Sequence, residues 1–247
     1  MPQQLNLLLP AEAQTGSAEP GWRVRFSRRA RHLKIQVFPH GGVEIVVPPR
    51  TSAREVEAFV SSHQQWIADT RARFVRQRPA EPALPDCIPL RSLEMAVPVS
   101  YRLNGAGQAR AREESSGLDI EAPTLTPPVV WPLLRNWLKA RGRAYLPARA
   151  MQLGAELGLQ PRAVHVRLQR TRWGSCSASG TLSLNAALLL RPPEQLRYVL
   201  VHELCHLRHM NHSRRFWSLV ERHVPNYRSL DQQLDSAWEA APNWLIG

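Results

Sequence analysis

The sequence has no long apolar run and no signal-like start. No window approaches the roughly 20 uninterrupted apolar residues that a membrane-spanning helix needs, which argues against an integral membrane protein. The N-terminal segment MPQQLNLLLPAEAQ lacks the basic start and apolar core of a secretion signal. We therefore expect a cytoplasmic protein without a membrane partner.

Cysteine is also scarce. The chain has three cysteines, Cys87, Cys176 and Cys205, which is an odd number at wide spacing. Such usage suits a reducing compartment and argues against a disulfide framework. A bound metal must therefore take its ligands mostly from histidine.

Acidic residues are few relative to basic ones. The 247 residues include 32 Lys and Arg against 20 Asp and Glu, so the net charge is +12. The basic residues cluster twice, as Arg28, Arg29, Arg31 and Lys34 and as Arg71, Arg73, Arg76 and Arg78. No zinc-finger, RNA-recognition or helix-turn-helix pattern accompanies them, so a solvated arginine-rich surface is the simpler interpretation. The alternative is nonspecific, salt-sensitive binding of nucleic acid.

Apolar residues are abundant enough for a core. Hydrophobic residues make up 43% of the chain and include 8 Trp, which indicates a globular protein. The length is near the limit at which one core stops growing, so we expect two subdomains. We predict an α+β fold with a mobile leader at 1–20, a β-rich N-terminal subdomain at 21–125 and a catalytic subdomain at 126–247.

The N-terminal part of the sequence predicts a small sheet followed by a helix. VRF, LKIQVF and VEIVVP alternate with period two around a His40-Gly41-Gly42 turn, which predicts an antiparallel sheet. Residues 51–77 begin with a Thr/Ser cap and continue at helical spacing, which predicts one long helix. The four prolines between residues 78 and 92 predict a linker or wrapping loop, and short strands follow up to about residue 123.

The C-terminal part mixes helices and strands. Residues 129–159 carry apolar positions at helical spacing, which predicts one or two helices. VHVRLQ and TLSLN predict two strands separated by the turn-rich segment TRWGSCSASG. Pro192 then opens a helix that contains the most informative motif of the chain.

That motif is H-E-x-x-H, formed by His202, Glu203 and His206. Histidines at positions i and i+4 of a helix project from one face, so both imidazoles can bind one Zn²⁺. A carboxylate next to the first histidine is placed to accept a proton from the attacking water. The spacing therefore predicts a catalytic zinc site with Glu203 as general base.

A catalytic zinc needs a third protein ligand, and two histidines compete for this role. On an unbroken helix His209 would lie about 10 Å along the axis from His202, which is too far. His212 comes ten residues after His202 and can return to the metal if Asn211 adopts the left-handed conformation that ends a helix. The spacing H-E-x-x-H-x-x-x-x-x-H also occurs in metzincins, and we predict His212.

The chain resembles the YgjP-like zinc metallopeptidases, relatives of the SprT-like and Wss-type proteases. The resemblance rests on RWGSCS, on the LSLN segment, on YVLVHELCHLRHMNH and on the following Ser213 with Phe216-Trp217. RRARHLKIQVFPHGGVEIVVP and HQQWI extend it into the N-terminal part, so it covers nearly the whole chain. It implies a minimal zincin-like peptidase fold with the same three ligands and the same general base.

The resemblance also suggests where a substrate binds. Zincins commonly offer a sheet edge to an extended peptide, which places Trp173, Gly174, Ser175 and Asn185 beside the cleft. The simpler interpretation is a hairpin loop packed by Trp173. Overall we predict a metalloendopeptidase with one zinc ion per chain, acting on protein or peptide. The alternatives are a basic nucleic-acid-associated module with a structural zinc, or a protease acting on DNA-bound protein.

Overall fold

The computed structural model describes residues 22–28, 30–38, 41–77, 84–169, 172–238 and 240–246. The chain divides into two compact units, residues 1–78 and 79–247. The predicted leader at 1–20 lies outside the described residues. No helix in the described part of the chain combines the length and apolarity needed to cross a membrane.

The first unit is a three-stranded sheet with two helices: β1 (Trp22–Phe26), β2 (Lys34–Val37), β3 (Val43–Val47), α1 (Ala53–Ser62) and α2 (Gln64–Gln77). β3 is central, pairing antiparallel with β2 and parallel with β1. The sheet is thus mixed, and the expectation of an antiparallel sheet is wrong for β1. Alternating residues show which face of a strand is buried, but they do not encode the direction of its neighbour.

The region predicted as one long helix is two helices that meet at His63. Ser52 and Glu55 form a reciprocal capping box at the start of α1. At its end, Ser62 Oγ and His63 Nδ1 lie 2.9 and 2.7 Å from the Phe59 carbonyl oxygen. That oxygen would accept the His63 amide in a continuous helix, and the amide bonds to Val60 instead. Side-chain competition for one carbonyl therefore breaks the helix.

The second unit begins with a four-stranded sheet in the order β4-β5-β7-β6. Its strands are β4 (Cys87–Leu90), β5 (Met95–Leu103), β6 (Arg110–Glu114) and β7 (Gly117–Ala122). Part of the segment predicted as a linker is thus strand β4, and Pro89 fits there because β4 is an edge strand. Residues 78–83 lie outside the described residues.

The remaining elements are α3 (Pro127–Leu157), β8 (Ala163–Arg167), β9 (Gly174–Cys176), β10 (Thr181–Asn185), α4 (Pro193–Cys205), α5 (Arg214–His223), α6 (Tyr227–Ser236) and α7 (Asn243–Ile246). β10 is central in a second sheet, parallel to β8 and antiparallel to β9. A 3₁₀ helix at Ala186–Leu190 leads from β10 towards α4. These elements confirm the predicted α+β class.

The long helix α3 joins the two sheets of the second unit. Ile88 and Ile120 of the four-stranded sheet belong to the same buried cluster as Leu134 and Leu138 of α3. In the second sheet, the Val166 side chain of β8 would lie 3.1 Å from a Cβ added at Gly142 of α3. The strands at 87–122 thus share a core with the elements after residue 126, although the sequence pattern predicts a subdomain boundary between residues 125 and 126. Amphipathic strands do not reveal which helix covers them.

Candidate metal centre

Helix α4 carries His202 and Glu203 through the interior of the second unit. Its apolar residues are buried around most of its circumference, so core packing holds the helix in place. His202 is partly buried and Glu203 is 6% exposed. His206 follows one turn later, at the helix end.

The chain leaves α4 through a tightened turn. The Leu207 amide donates to the Leu204 carbonyl at 3.0 Å and the Arg208 amide to the Cys205 carbonyl at 3.1 Å, the spacing of a 3₁₀ helix. Among the described residues, only Arg50 and Glu94 combine a side chain with a positive φ. The expectation that a left-handed Asn211 ends the helix is therefore wrong.

Three imidazoles converge after this turn. His202, His206 and His212 each offer a ring nitrogen, and these nitrogens all lie within 4.8 Å of one another. Nε2 of His202 is 3.0 Å from Nε2 of His212. Nitrogens around a tetrahedral zinc lie about 3.3 Å apart, as Zn–N distances of about 2.05 Å require. The three residues can therefore hold one metal ion.

His209 contributes its backbone to this arrangement. Nδ1 of His206 lies 3.0 Å from the His209 carbonyl oxygen. Donation from Nδ1 leaves the Nε2 lone pair of His206 free for a metal. The His209 imidazole does not belong to the converging group.

Burial favours the form of histidine that binds metals. It lowers the pKa of His202 to about 3, with further lowering from His206 and His212. The pKa of His206 is also lowered, mainly by burial. Both imidazoles are therefore neutral at physiological pH, as metal coordination requires.

Glu203 lies beside this group in a close-fitting site. A Cβ added at Gly174 would be 2.5 Å from Oε1 of Glu203, so only glycine at this position of β9 leaves room for the carboxylate. Oε2 of Glu203 is buried and has no hydrogen-bond partner among the described residues. Burial raises the pKa of Glu203 to about 8, and nearby Arg172 partly opposes this rise. The carboxyl group is thus held in position with one oxygen ready for a ligand. A cation held by the neighbouring imidazoles would lower this pKa again, because a nearby positive charge favours the ionised carboxylate.

Aromatic rings of α5 pack against the histidines. Phe216 stacks on His206 with ring centroids 4.5 Å apart, and Trp217 stacks on His212 at 5.4 Å. Trp217 in turn stacks on Tyr227 of α6 at 5.1 Å. These contacts restrict the orientation of both imidazoles.

Of the residues predicted to bind substrate, two make structural contacts. The Asn185 side-chain amide donates to the backbone carbonyls of Gln169 and Arg172 at 2.8 and 2.9 Å. Its oxygen accepts from the backbone amide of Ala187 at 3.0 Å. It is 1% exposed. The Trp173 indole donates to the Leu234 carbonyl at 3.2 Å and stacks on Trp238. The structure engages both side chains in holding β9 and the loop before it.

Gly174 and Ser175 lie in strand β9, at the edge of its sheet in the described part of the chain. The backbone amide of Asn185 donates to the Trp173 carbonyl, and the backbone amide of Ser177 donates to the Thr181 carbonyl. In an antiparallel ladder hydrogen-bonded pairs alternate, so the backbone groups of Gly174 and Cys176 point away from β10. The edge next to Glu203 therefore presents backbone donors and acceptors.

Two further residues lie at this centre that the motif spacing alone does not identify as functional candidates. The Tyr198 hydroxyl lies 3.5 Å from Nδ1 of His202 and donates to Asp231 Oδ1 at 2.6 Å. Tyr198 precedes His202 by one helical turn, which was a usable signal. Asp231 is on a different helix, and no local spacing connects it to the motif.

A family model and one solved structure resemble this chain. The family model described as "YgjP-like, metallopeptidase domain" matches residues 31–237. A solved structure, the metallopeptidase zymogen abylysin of Pyrococcus abyssi, is 27% identical, with a TM-score of 0.34 over 37% of this chain and 92% of that chain. The search of curated proteins finds no match.

Proposed function

Because the chain belongs to the YgjP-like family of metallopeptidases, we propose that it is a zinc-dependent endopeptidase with Glu203 as general base. One observation carries this proposal: a buried carboxylate with an unpartnered oxygen lies beside three converging imidazoles. Water activation at a metal uses this combination of groups.

The donor set fits zinc. His202, His206 and His212 would hold the ion, since three neutral imidazoles are a common ligand set of catalytic zinc and leave a fourth position open. A bound zinc ion would polarise the peptide carbonyl and make water acidic enough to attack at neutral pH. The buried Oε2 of Glu203 supports the fit, because a buried polar atom is normally paired.

Glu203 would move the proton. Its free oxygen accepts a proton from the attacking water and then delivers it to the nitrogen of the leaving amine. Contact with Gly174 keeps the carboxylate from turning away. Its burial excludes bulk water, which would otherwise compete for the proton.

Strand β9 would bind the substrate. The backbone groups of Gly174 and Cys176 that point away from β10 can pair with an extended peptide, which then runs past Glu203. A peptide paired along a strand continues on both sides of the scissile bond, which favours cleavage within a chain. Peptides with acetylated N-termini and amidated C-termini are therefore expected to be cleaved.

The decisive experiment separates holding the metal from using it. Glu203→Gln keeps the shape of the side chain and removes the base, so zinc content is retained while peptide hydrolysis falls by roughly 10²- to 10⁴-fold. His212→Ala removes a ligand, so zinc is lost or greatly weakened together with activity. Zinc is measured by elemental analysis and hydrolysis with an internally quenched peptide that has blocked termini.

His209→Ala is the matched control. Its backbone carbonyl, the only group it offers to His206, survives the substitution, so zinc content should equal that of the wild type. Loss of zinc in His209→Ala but not in His212→Ala would refute the ligand assignment. Full hydrolysis by Glu203→Gln would refute the role of Glu203.

A second candidate function is binding of a nucleic-acid backbone by the same unit. A cavity of about 790 Å³ next to α5 is lined by four arginines and two histidines, namely Arg208, Arg214, Arg215, Arg222, His209 and His223. None of its lining residues is acidic. Burial lowers the pKa of His223, and the positive charges of Arg222 and Arg197 lower it further. Guanidinium groups that line one cavity can bind phosphate.

A further inference from the structure

Helix α6 contacts three parts of the metal centre with one face. Tyr227 stacks on Trp217, which packs on His212. One turn later Asp231 accepts from Tyr198, and the Leu234 carbonyl then accepts from Trp173 next to Gly174. The side chains at positions i and i+4 share a face of the helix, and the third contact comes from a backbone carbonyl three residues later, so α6 lies along the centre as a support.

The middle contact extends to a histidine of the centre. The Tyr198 hydroxyl oxygen is 3.5 Å from Nδ1 of His202 and 2.6 Å from Oδ1 of Asp231. Tyr198 is 2% exposed and Asp231 is partly buried, so surrounding atoms hold both side chains. Asp231, Tyr198 and His202 therefore form a chain of polar contacts from α6 to the metal centre.

The direction of these hydrogen bonds selects the tautomer of His202. Nε2 of His202 faces Nε2 of His212, so the ring proton must be on Nδ1 if Nε2 is to bind a metal. A carboxylate can only accept a hydrogen bond, so the Tyr198 hydroxyl must donate its proton towards Asp231. The hydroxyl oxygen is then free to accept a hydrogen bond from Nδ1 of His202. A partner that donated to Tyr198 would turn the hydroxyl proton towards Nδ1 and favour the tautomer that cannot bind.

We propose that Tyr198 and Asp231 are positioning residues that fix the tautomer and orientation of His202 for metal binding. This inference rests on the proposed metal site, and its ligand is the zinc ion. Outer-sphere partners of metal-binding histidines typically contribute 10- to 100-fold to metal affinity. This series of polar contacts also explains why a buried tyrosine hydroxyl occurs one helical turn before the H-E-x-x-H motif.

Zinc affinity provides a test that does not depend on peptidase activity. The purified full-length protein competes for zinc with a chromophoric chelator, and Tyr198→Phe and Asp231→Asn are each expected to bind roughly 10- to 100-fold more weakly than the wild type. Asp235→Asn is the matched control, since Asp235 is one turn further along α6 and exposed. Its charge acts on Tyr198, but it makes no hydrogen bond to Tyr198 among the described contacts, so the variant separates the loss of a charge from the loss of the hydrogen bond. Its affinity should equal that of the wild type.

A second readout detects the tautomer itself. Nitrogen-15 NMR of the metal-free protein should show the His202 proton on Nδ1 in the wild type and a shift towards Nε2 in Asp231→Asn, whose amide can donate to Tyr198. A packing role alone would not change this signal.

Three outcomes are distinguishable. Zinc affinity of either variant within twofold of the wild type, or an unchanged tautomer in Asp231→Asn, overturns the inference. If Tyr198→Phe does not fold, Asp231→Asn decides alone, because its side chain is less buried. A wild-type protein that binds zinc but cleaves no peptide would contradict the proposed function and leave this inference standing.

Discussion

Residue 174 must be glycine because the side chain of Glu203 lies against it. The carboxylate occupies the space where any other residue at 174 would place its Cβ. Glu203 is deeply buried, so its side chain has little room to move aside. At the scale of single residues, the proposed base is thus oriented by the absence of a side chain on the neighbouring strand.

Gly174→Ala is therefore expected to impair catalysis without removing the metal. The added Cβ displaces the carboxylate, and displacement by about 1 Å costs roughly 10²-fold in rate. Gly107→Ala is the control, because the atoms nearest to its Cβ belong to the side chain of Asn104, in the loop between β5 and β6. Hydrolysis and zinc content are measured for both variants, and an unimpaired Gly174→Ala would show that the contact does not orient Glu203.

At the scale of elements, the centre depends on how α5 begins. His212 directly precedes Ser213, the N-cap of α5, whose hydroxyl accepts from the Phe216 amide at 3.5 Å. The first turn of the helix then supplies Phe216 and Trp217, the rings that pack on the histidines. The start of α5 thus fixes both the third histidine and its aromatic support.

Ser213→Ala should affect stability and metal binding together. Loss of an N-cap costs about 1 kcal/mol, and fraying of the first turn frees His212 to move. We expect a lower free energy of unfolding in denaturant and weaker zinc affinity. Ser218→Ala, an exposed position on the same helix, should leave the free energy of unfolding within about 0.5 kcal/mol of the wild type. Equal zinc affinity of Ser213→Ala and the wild type would contradict this role of the cap.

At the scale of the whole molecule, the net charge of +12 favours association with polyanions. The arginine-lined cavity next to α5 concentrates part of this charge in the second unit. A uniformly cationic surface would bind nucleic acid wherever its charge is highest. A specific binding site would instead depend on particular arginines.

Single-charge reversals distinguish these two cases. Arg215→Glu is expected to weaken binding of a DNA duplex several-fold, whereas Arg54→Glu, which alters another exposed arginine on α1, changes it little. Wild-type affinity should fall steeply with added salt as counterions are released, with a log–log slope of about −0.9 for each neutralised phosphate. Fluorescence anisotropy at several salt concentrations measures both effects, and no binding at low salt would remove this candidate function.

Much of the local structure followed from the sequence. Strands β8 and β10 and the start of α4 are where the alternation and the proline predicted them. The spacing of His202, Glu203 and His206 suffices to place them together, because a helix has a fixed periodicity. The break between α1 and α2 was not predictable from the sequence pattern. Two side chains that compete for the Phe59 carbonyl divide α1 from α2, and helical periodicity does not register such competition.

By itself the sequence determined the α+β class, the family and the residues of the helix-borne motif, because these depend on local periodicity and on short spacings. Only the tertiary structure decided the rest. It brought His212 within reach of His202 through a 3₁₀ turn, placed Gly174 against Glu203 and joined Asp231 to Tyr198. It also assigned β4 to β7 to the core of α3. These contacts join residues that are distant in the chain, and the side-chain packing that forms them leaves no periodic signal in the sequence.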